Sequence, residues 1–137
     1  MIIKIEKPPA WIYDKCVEMF GIDKRKGVVW TMGETLYNPD GIEIPDHLMA
    51  HEMTHTKQHE SSDIVGKLWW AKYFTDIKFR IDQEAEAYGN QYKFICTRIK
   101  DGNSRYRALH QLAADLAGPI YGSSISYTDA IRRIRGN

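Results

Sequence analysis

The sequence predicts an α+β domain, with an N-terminal helix and a small β-sheet followed by a mostly helical C-terminal part. Three observations lead there. Short β-prone runs bounded by turn residues lie before Pro45. From Asp46 onward, apolar residues recur at helical spacing. The chain has 137 residues, 43% of them apolar and 27% charged, which suits one globular domain with its own core. It contains no internal repeat or long linker to divide it, so residues 1–137 are read as one unit.

Taken in order, Met1–Glu6 alternates weakly, as a strand would. Pro8-Pro9 opens a helix through Phe20, with Ile12, Cys16 and Met19 or Phe20 on one face and Gly21 as its stop. The basic run Asp23–Gly27 reads as a loop. Val28–Thr31 reads as a strand, with Glu34–Tyr37 as its hairpin partner and Asn38-Pro39-Asp40-Gly41 as a turn. Gly41–Ile44 is a further short strand, closed by Pro45. Asp46 suits the N-cap of a helix carrying His51 to His59, which Ser61-Ser62-Asp63 breaks. Ile64 to about Phe74 forms the next helical piece, with a turn at Thr75 or Asp76. A long helix, Ile81–Lys100, then carries Ala85, Tyr88, Tyr92 and Ile95 or Cys96 at helical spacing. Asp101-Gly102-Asn103 ends it, and Ser104 caps a helix to about Ala117. Gly118–Gly122 is a loop, and Thr128 caps the terminal helix Asp129–Arg135.

Several classes are disfavoured by composition. Cys16 and Cys96 are too few for a disulfide framework and are read as packed free thiols. Residues 1–10 lack the long apolar stretch of a signal peptide, and Lys67 and Lys72 interrupt the most apolar later segment. A cytoplasmic setting without membrane contact is expected. Residues 93–137 carry eight basic and three acidic groups. Arg132, Arg133 and Arg135, with Arg98, Lys100, Arg105 and Arg107, are read as a solvated helix face in preference to a nucleic-acid surface.

The chemistry of the chain centres on His51-Glu52-Met53-Thr54-His55. Helix residues four apart share a face, so the two imidazoles can meet one tetrahedral metal ion. Glu52 lies about 100° round the helix, off that ion yet within reach of a water beside it. An open zinc site usually has three protein ligands. A third histidine in the spacing H-E-x-x-H-x-x-G-x-x-H is excluded, because Gln58 and Ser61 stand at those positions. Across His51, His55 and His59 the helix rises about 12 Å, too far for all three to converge, so His59 is read as a surface or supporting residue. Carboxylates of the long helix remain. Glu84 has Ala87 three residues on and Glu86 has Gly89, and packing alone does not separate them.

The run His51-Glu52-x-x-His55-x-x-Gln58, followed by Glu84-x-x-Ala87, resembles small gluzincin-type zinc peptidases. More narrowly, Trp69-Trp70-x-x-Tyr73, Phe79-Arg80-x-x-x-Glu84-Ala85-Glu86-Ala87-Tyr88 and Leu116–Gly122 are similar to metallopeptidases encoded by bacteriophages and prophages. The resemblance covers roughly residues 28–135 and implies a minimal zincin-like fold, one zinc per chain and Glu84 as third ligand. Larger gluzincins often place an Asp, which holds a ligand histidine, where this chain has Tyr88.

The expected function is that of a zinc-dependent metallopeptidase acting on a peptide or protein substrate, in a host cytoplasm if phage-encoded. His51, His55 and Glu84 would hold the metal and Glu52 would serve as general base. Tyr73, Tyr88, His110 and Tyr121 are candidates for stabilising an oxyanion, and Gln58 for supporting a ligand or the Glu84 helix. Trp69, Trp70 and Tyr73 also fit core packing, and His110 a half-buried helix position. The resemblance implies that Gly41, Ile42, Glu43 and Ile44 form an edge strand for substrate. The rival readings are a non-catalytic zincin-like metal-binding domain and a partner- or nucleic-acid-binding module.

Overall fold

In the computed structural model, residues 1–61 and 66–136 are described, and they form a mixed α+β fold that is mostly helical. Strand β1 (Ile2–Lys4) is followed by helix α1 (Ala10–Phe20) and a single 3-10 turn, Ile22–Lys24. Strands β2 (Trp30–Met32) and β3 (Thr35–Tyr37) make a hairpin. Helices α2 (Asp46–Ser61), α3 (Lys67–Thr75), α4 (Ile77–Arg98) and α5 (Gly102–Leu116) come next, then a 3-10 turn at Pro119–Tyr121 and helix α6 (Tyr127–Arg135).

The sheet has the order β1-β3-β2, with β1 parallel and β2 antiparallel to β3. Gly33 turns the hairpin at φ +62°, a region that costs glycine little. Trp30 of β2 reaches the α1 side, where its indole N–H donates to Cys16 Sγ at 3.4 Å. Its neighbour Thr31 points the other way, as strand alternation requires, and meets α2. Trp70 of α3 locks β2 in place by donating to the Thr31 carbonyl at 2.9 Å. Cys16 and Cys96 are both free thiols.

Helix α2 packs most extensively on α4. Its buried face is polar rather than apolar: His51, Glu52, Thr54, His55, Gln58 and His59. Such a face is costly to bury unless every group finds a partner, so it marks a site rather than a core seam. Ala87, fully buried on α4, lets the two helices approach. The apolar core forms one contiguous cluster from α1 through α6 and includes Trp69, Trp70 and Tyr73, as core packing predicts.

Several boundaries differ from the sequence reading. Gly41–Ile44 is not a strand. The Asn38 side chain donates to the Ile42 carbonyl at 2.9 Å and accepts from its N–H at 3.2 Å, taking groups that a ladder would need. The strand at Val28–Thr31 shifts to Trp30–Met32. Helix α4 starts at Ile77 instead of Ile81 because Asp76 caps it, accepting from the Phe79 N–H. Asp101 and Ser126, not Ser104 and Thr128, cap α5 and α6. The expected helical start at Ile64 and the break at Ser62-Asp63 lie outside the described residues. Gly66, at φ +72°, precedes α3, and a Cβ there would meet His59 Nδ1 at 3.0 Å. Only glycine fits that corner.

Among the described residues, no helix is long and apolar enough to cross a membrane. In the basic C-terminal region, Arg105 donates to the carbonyls of Ile99 and Cys96 at the end of α4. Arg132 pairs with Asp129, and Arg133 with Asp82.

Candidate metal centre

His51 and His55, one turn apart on α2, and Glu84 on α4 bring three ligand atoms together. His51 Nε2 and His55 Nε2 lie 3.2 Å apart, and Glu84 Oε1 lies 3.2 and 3.1 Å from them. All three residues are buried. Three ligands around a tetrahedral ion at about 2.0–2.1 Å stand about 3.3 Å from one another, so this donor set fits zinc in number, type and spacing. Among the described residues, this is the only group of three or more His, Cys, Asp or Glu placed to hold a metal. Glu86 faces away, exposed, where it accepts a hydrogen bond from Gln58 at 2.9 Å.

Each histidine is held from behind. Gln58 Nε2 donates to the Gln83 carbonyl at 3.0 Å and to Glu86, which turns its Oε1 toward His55 Nδ1 at 2.8 Å. His51 Nδ1 meets Gln91 Oε1 at 3.0 Å, and Gln91 Nε2 donates to His47 Nδ1 at 2.8 Å. An amide oxygen behind each ring calls for Nδ1–H and leaves Nε2 free to face the shared point. Gln58, two turns beyond His51, thus contacts both His55 and the Glu84 helix. Gln91 was not anticipated, although it lies seven residues and two turns beyond Glu84 on the same face.

Glu84 is fixed on its other oxygen by the Tyr73 hydroxyl, which donates to Oε2 at 2.7 Å. Burial alone would raise the Glu84 carboxyl, but the His55 charge and the hydrogen bonds of both histidines hold it well below the usual range. For His55, burial acts downward, and the Glu84 charge and hydrogen bond outweigh it, pushing the ring up to about 9. His51 packs edge-on against Tyr88, with ring centroids 4.5 Å apart, and His55 against Trp69 at 5.3 Å.

Glu52 is buried and accepts from Thr31 Oγ1 at 2.8 Å. It lines an open cleft of about 400 Å³ bounded by Arg25, Val28, Val29, His51, Tyr88 and Tyr121. Thr31 was missed in the sequence, where nothing links a strand hydroxyl to a helix residue 21 positions later.

The four candidate oxyanion residues separate clearly. Tyr88 and Tyr121 share a hydrogen bond between hydroxyls at 2.8 Å, and both line the cleft. Burial and then the Glu84 charge keep both phenols, and Tyr73, well above their ordinary range, so they remain neutral donors. Tyr73 is committed to Glu84. His110 is not at the centre: its Nδ1 bonds the Tyr127 hydroxyl on the α5–α6 surface, and the Tyr106 ring lies 4.0 Å away. Arg80, also buried, ties the site's walls together by donating to the carbonyls of Tyr73 at 2.8 Å and Tyr121 at 3.2 Å.

His59 is not a surface residue; it is 1% exposed, and its Nδ1 accepts the Gly33 N–H at 2.9 Å. Burial, then the His55 charge, lowers its pKa to about 4, so the ring is neutral. It anchors the β-hairpin to α2 and takes no part in the ligand set. The chain matches no protein-family model, no curated protein and no solved structure.

Proposed function

We propose that the protein is a zinc-dependent metallopeptidase with a minimal zincin-like fold. The observation that carries this is the meeting of His51, His55 and Glu84 at 3.1–3.2 Å, with His51 and the buried Glu52 on the wall of an open cleft. A purely structural metal site has no use for that carboxylate or for the cleft. Bound by these three residues, zinc would supply Lewis acidity toward a peptide carbonyl and lower the pKa of a water. Glu52, aimed by Thr31, takes a proton at its carboxylate and delivers it to the leaving amine. Within the Tyr88–Tyr121 pair one hydroxyl donates to the other, which leaves one neutral O–H to donate to charge developing on the substrate oxygen.

The substrate backbone runs beside Val28–Val29, which leads into β2 and lines the cleft. This segment takes the place that Gly41–Ile44 was expected to fill. A cytoplasmic setting, in a host cell if the chain is phage-encoded, belongs to the same reading. Incubating zinc-loaded protein with a denatured protein, with the Glu52→Gln variant beside it, tests the proposal.

A further inference from the structure

Strand β1 leaves one edge of the sheet bare. The order β1-β3-β2 gives it β3 as a neighbour on one side and, among the described residues, no strand on the other. The bonds framing this parallel pair run from the Ile2 N–H to the Glu34 carbonyl at 2.8 Å and from the Asn38 N–H to the Lys4 carbonyl at 2.7 Å. A strand residue aims both backbone groups to one side, and successive residues alternate. Ile2 and Lys4 therefore face β3, and the Ile3 N–H and C=O face outward. Edges of this kind are usually blunted by charge, proline or a covering loop.

Here the edge is apolar. Among the described residues, four of the ten exposed large apolar side chains fall within the first five positions: Met1 47%, Ile2 57%, Ile3 49% and Ile5 74% exposed. Lys4 is the one charge among them, and Glu6 pairs with it at 3.9 Å. Ile3 lies beside Leu36 in register, yet Leu36 is fully buried, so the cover of the core stops at β1. Positions 1, 3 and 5 share a face by strand alternation.

We propose that β1 pairs antiparallel with β1 of a second copy of this chain, about a twofold axis at Ile3. In that register Ile3 faces Ile3, Met1 faces Ile5 and Ile2 faces Lys4. The two Ile3 residues exchange N–H···O bonds, and on either side the Ile5 N–H reaches the Met1 carbonyl. One face of the joint becomes an unbroken strip of Met1, Ile3 and Ile5 from both copies. On the other face each Lys4 keeps its Glu6, so no unbalanced charge enters the joint. A slip of one residue would set Ile3 against Ile2 or Lys4, whose backbone groups are already spent on β3. The twofold closes the assembly, because both bare edges are used up. Helix α2 meets β2, at the opposite edge of the sheet, so the cleft stays open. Covering the four apolar side chains removes roughly 400 Å² per copy from water, about half of a standard interface, so the dimer is weak, with a Kd on the order of 100 µM.

Sedimentation equilibrium of the full chain over about 5–500 µM should show the mass rising from monomer toward dimer and no further. Ile3→Lys sets two charges against each other, and Ile3→Pro removes the outward N–H while sparing the β3 ladder. Both variants should keep the parent's melting temperature within a few degrees and stay monomeric at the highest concentration. Ile77→Lys, on an exposed apolar residue far along the chain, should dimerise like the parent. A monomer at every concentration, growth past the dimer, or association unchanged in both Ile3 variants would overturn the proposal. A second measurement fixes the register without disturbing the pairing. In a Cys96→Ser background, Ile3→Cys should oxidise to a covalent dimer, since Cα atoms of a hydrogen-bonded pair lie about 5.5 Å apart. Ile2→Cys should not, because the two copies of that position would stand about 8 Å apart. Linkage at both positions or at neither would overturn the twofold at Ile3.

Discussion

Gln91 Oε1 lies 3.0 Å from His51 Nδ1, and Gln58 Oε1 lies 2.8 Å from His55 Nδ1. Both glutamines stand seven residues after a ligand: Gln58 follows His51 on α2, and Gln91 follows Glu84 on α4. The two helices thus repeat one device, a ligand and, two turns on, an amide that orients a histidine. Gln91→Leu removes the acceptor at similar volume and should weaken zinc binding about 10–100-fold while the fold persists. Competition against a chromophoric chelator measures it, and an affinity equal to the parent's would show that His51 needs no such support.

The choice of third ligand is equally open to trial. Glu84→Ala should reduce zinc affinity sharply, because a buried ligand is lost and two imidazoles remain. Glu86→Ala should change it little, since Glu86 is exposed and touches only Gln58 among the site residues. Loss in Glu86→Ala with retention in Glu84→Ala would reverse the assignment.

Zinc binding should depend on pH in a direction set by His55. Burial lowers its affinity for a proton, but Glu84 outweighs this and raises the pKa from 6.5 to about 9. Zinc must displace that proton, so apparent affinity should rise about tenfold per pH unit and level off above pH 9. In metal-free protein the sign is opposite. A raised histidine pKa contributes stability that is complete below 6.5 and fades as pH climbs through about 9. Over that window the melting temperature should fall in chelator and hold or rise in excess zinc. Parallel curves in the two conditions would contradict competition between zinc and the His55 proton.

His59 should make the protein sensitive to mild acid. Its Nδ1 accepts from Gly33, and its pKa of about 4 lies below the ordinary 6.5. Between those values the unfolded chain holds a proton that the native state refuses, so stability falls as pH drops from 6.5 to 4. The loss is at most about 3 kcal/mol. His59→Gln keeps an acceptor for Gly33 without titrating in that range. Denaturant midpoints measured from pH 4 to 7 should therefore slope less in the variant, and an unchanged slope would assign the acid sensitivity elsewhere.

Local signals made the His51–His55 pair and most elements legible in the sequence. The H-E-x-x-H spacing is a one-turn relation within one helix, and Pro9, Gly21 and Asn38–Gly41 punctuate the chain as expected. Glu84 emerged only through resemblance, because packing against small residues suited Glu86 as well. What escaped was tertiary. Thr31 reaches Glu52 across 21 residues, and Arg80 reaches Tyr121 across 41. Gly41–Ile44 alternates like a strand, yet the Asn38 side chain captures its backbone groups. His59 was read as a surface or supporting residue because no local feature shows that Gly33 and Gly66 close over it.

Peptide-bond hydrolysis, measured in parent and variants of known zinc content, decides whether the metal centre is catalytic. Zinc-loaded protein should cleave a denatured substrate. Glu52→Gln should retain one zinc per chain and lose turnover by about 10²–10⁴-fold. Thr31→Val, which removes the hydroxyl aiming Glu52, should fall between them, and Thr31→Ser should recover most of the loss. No cleavage by zinc-loaded protein, or equal cleavage by Glu52→Gln, would rule out a zinc peptidase with Glu52 as its base.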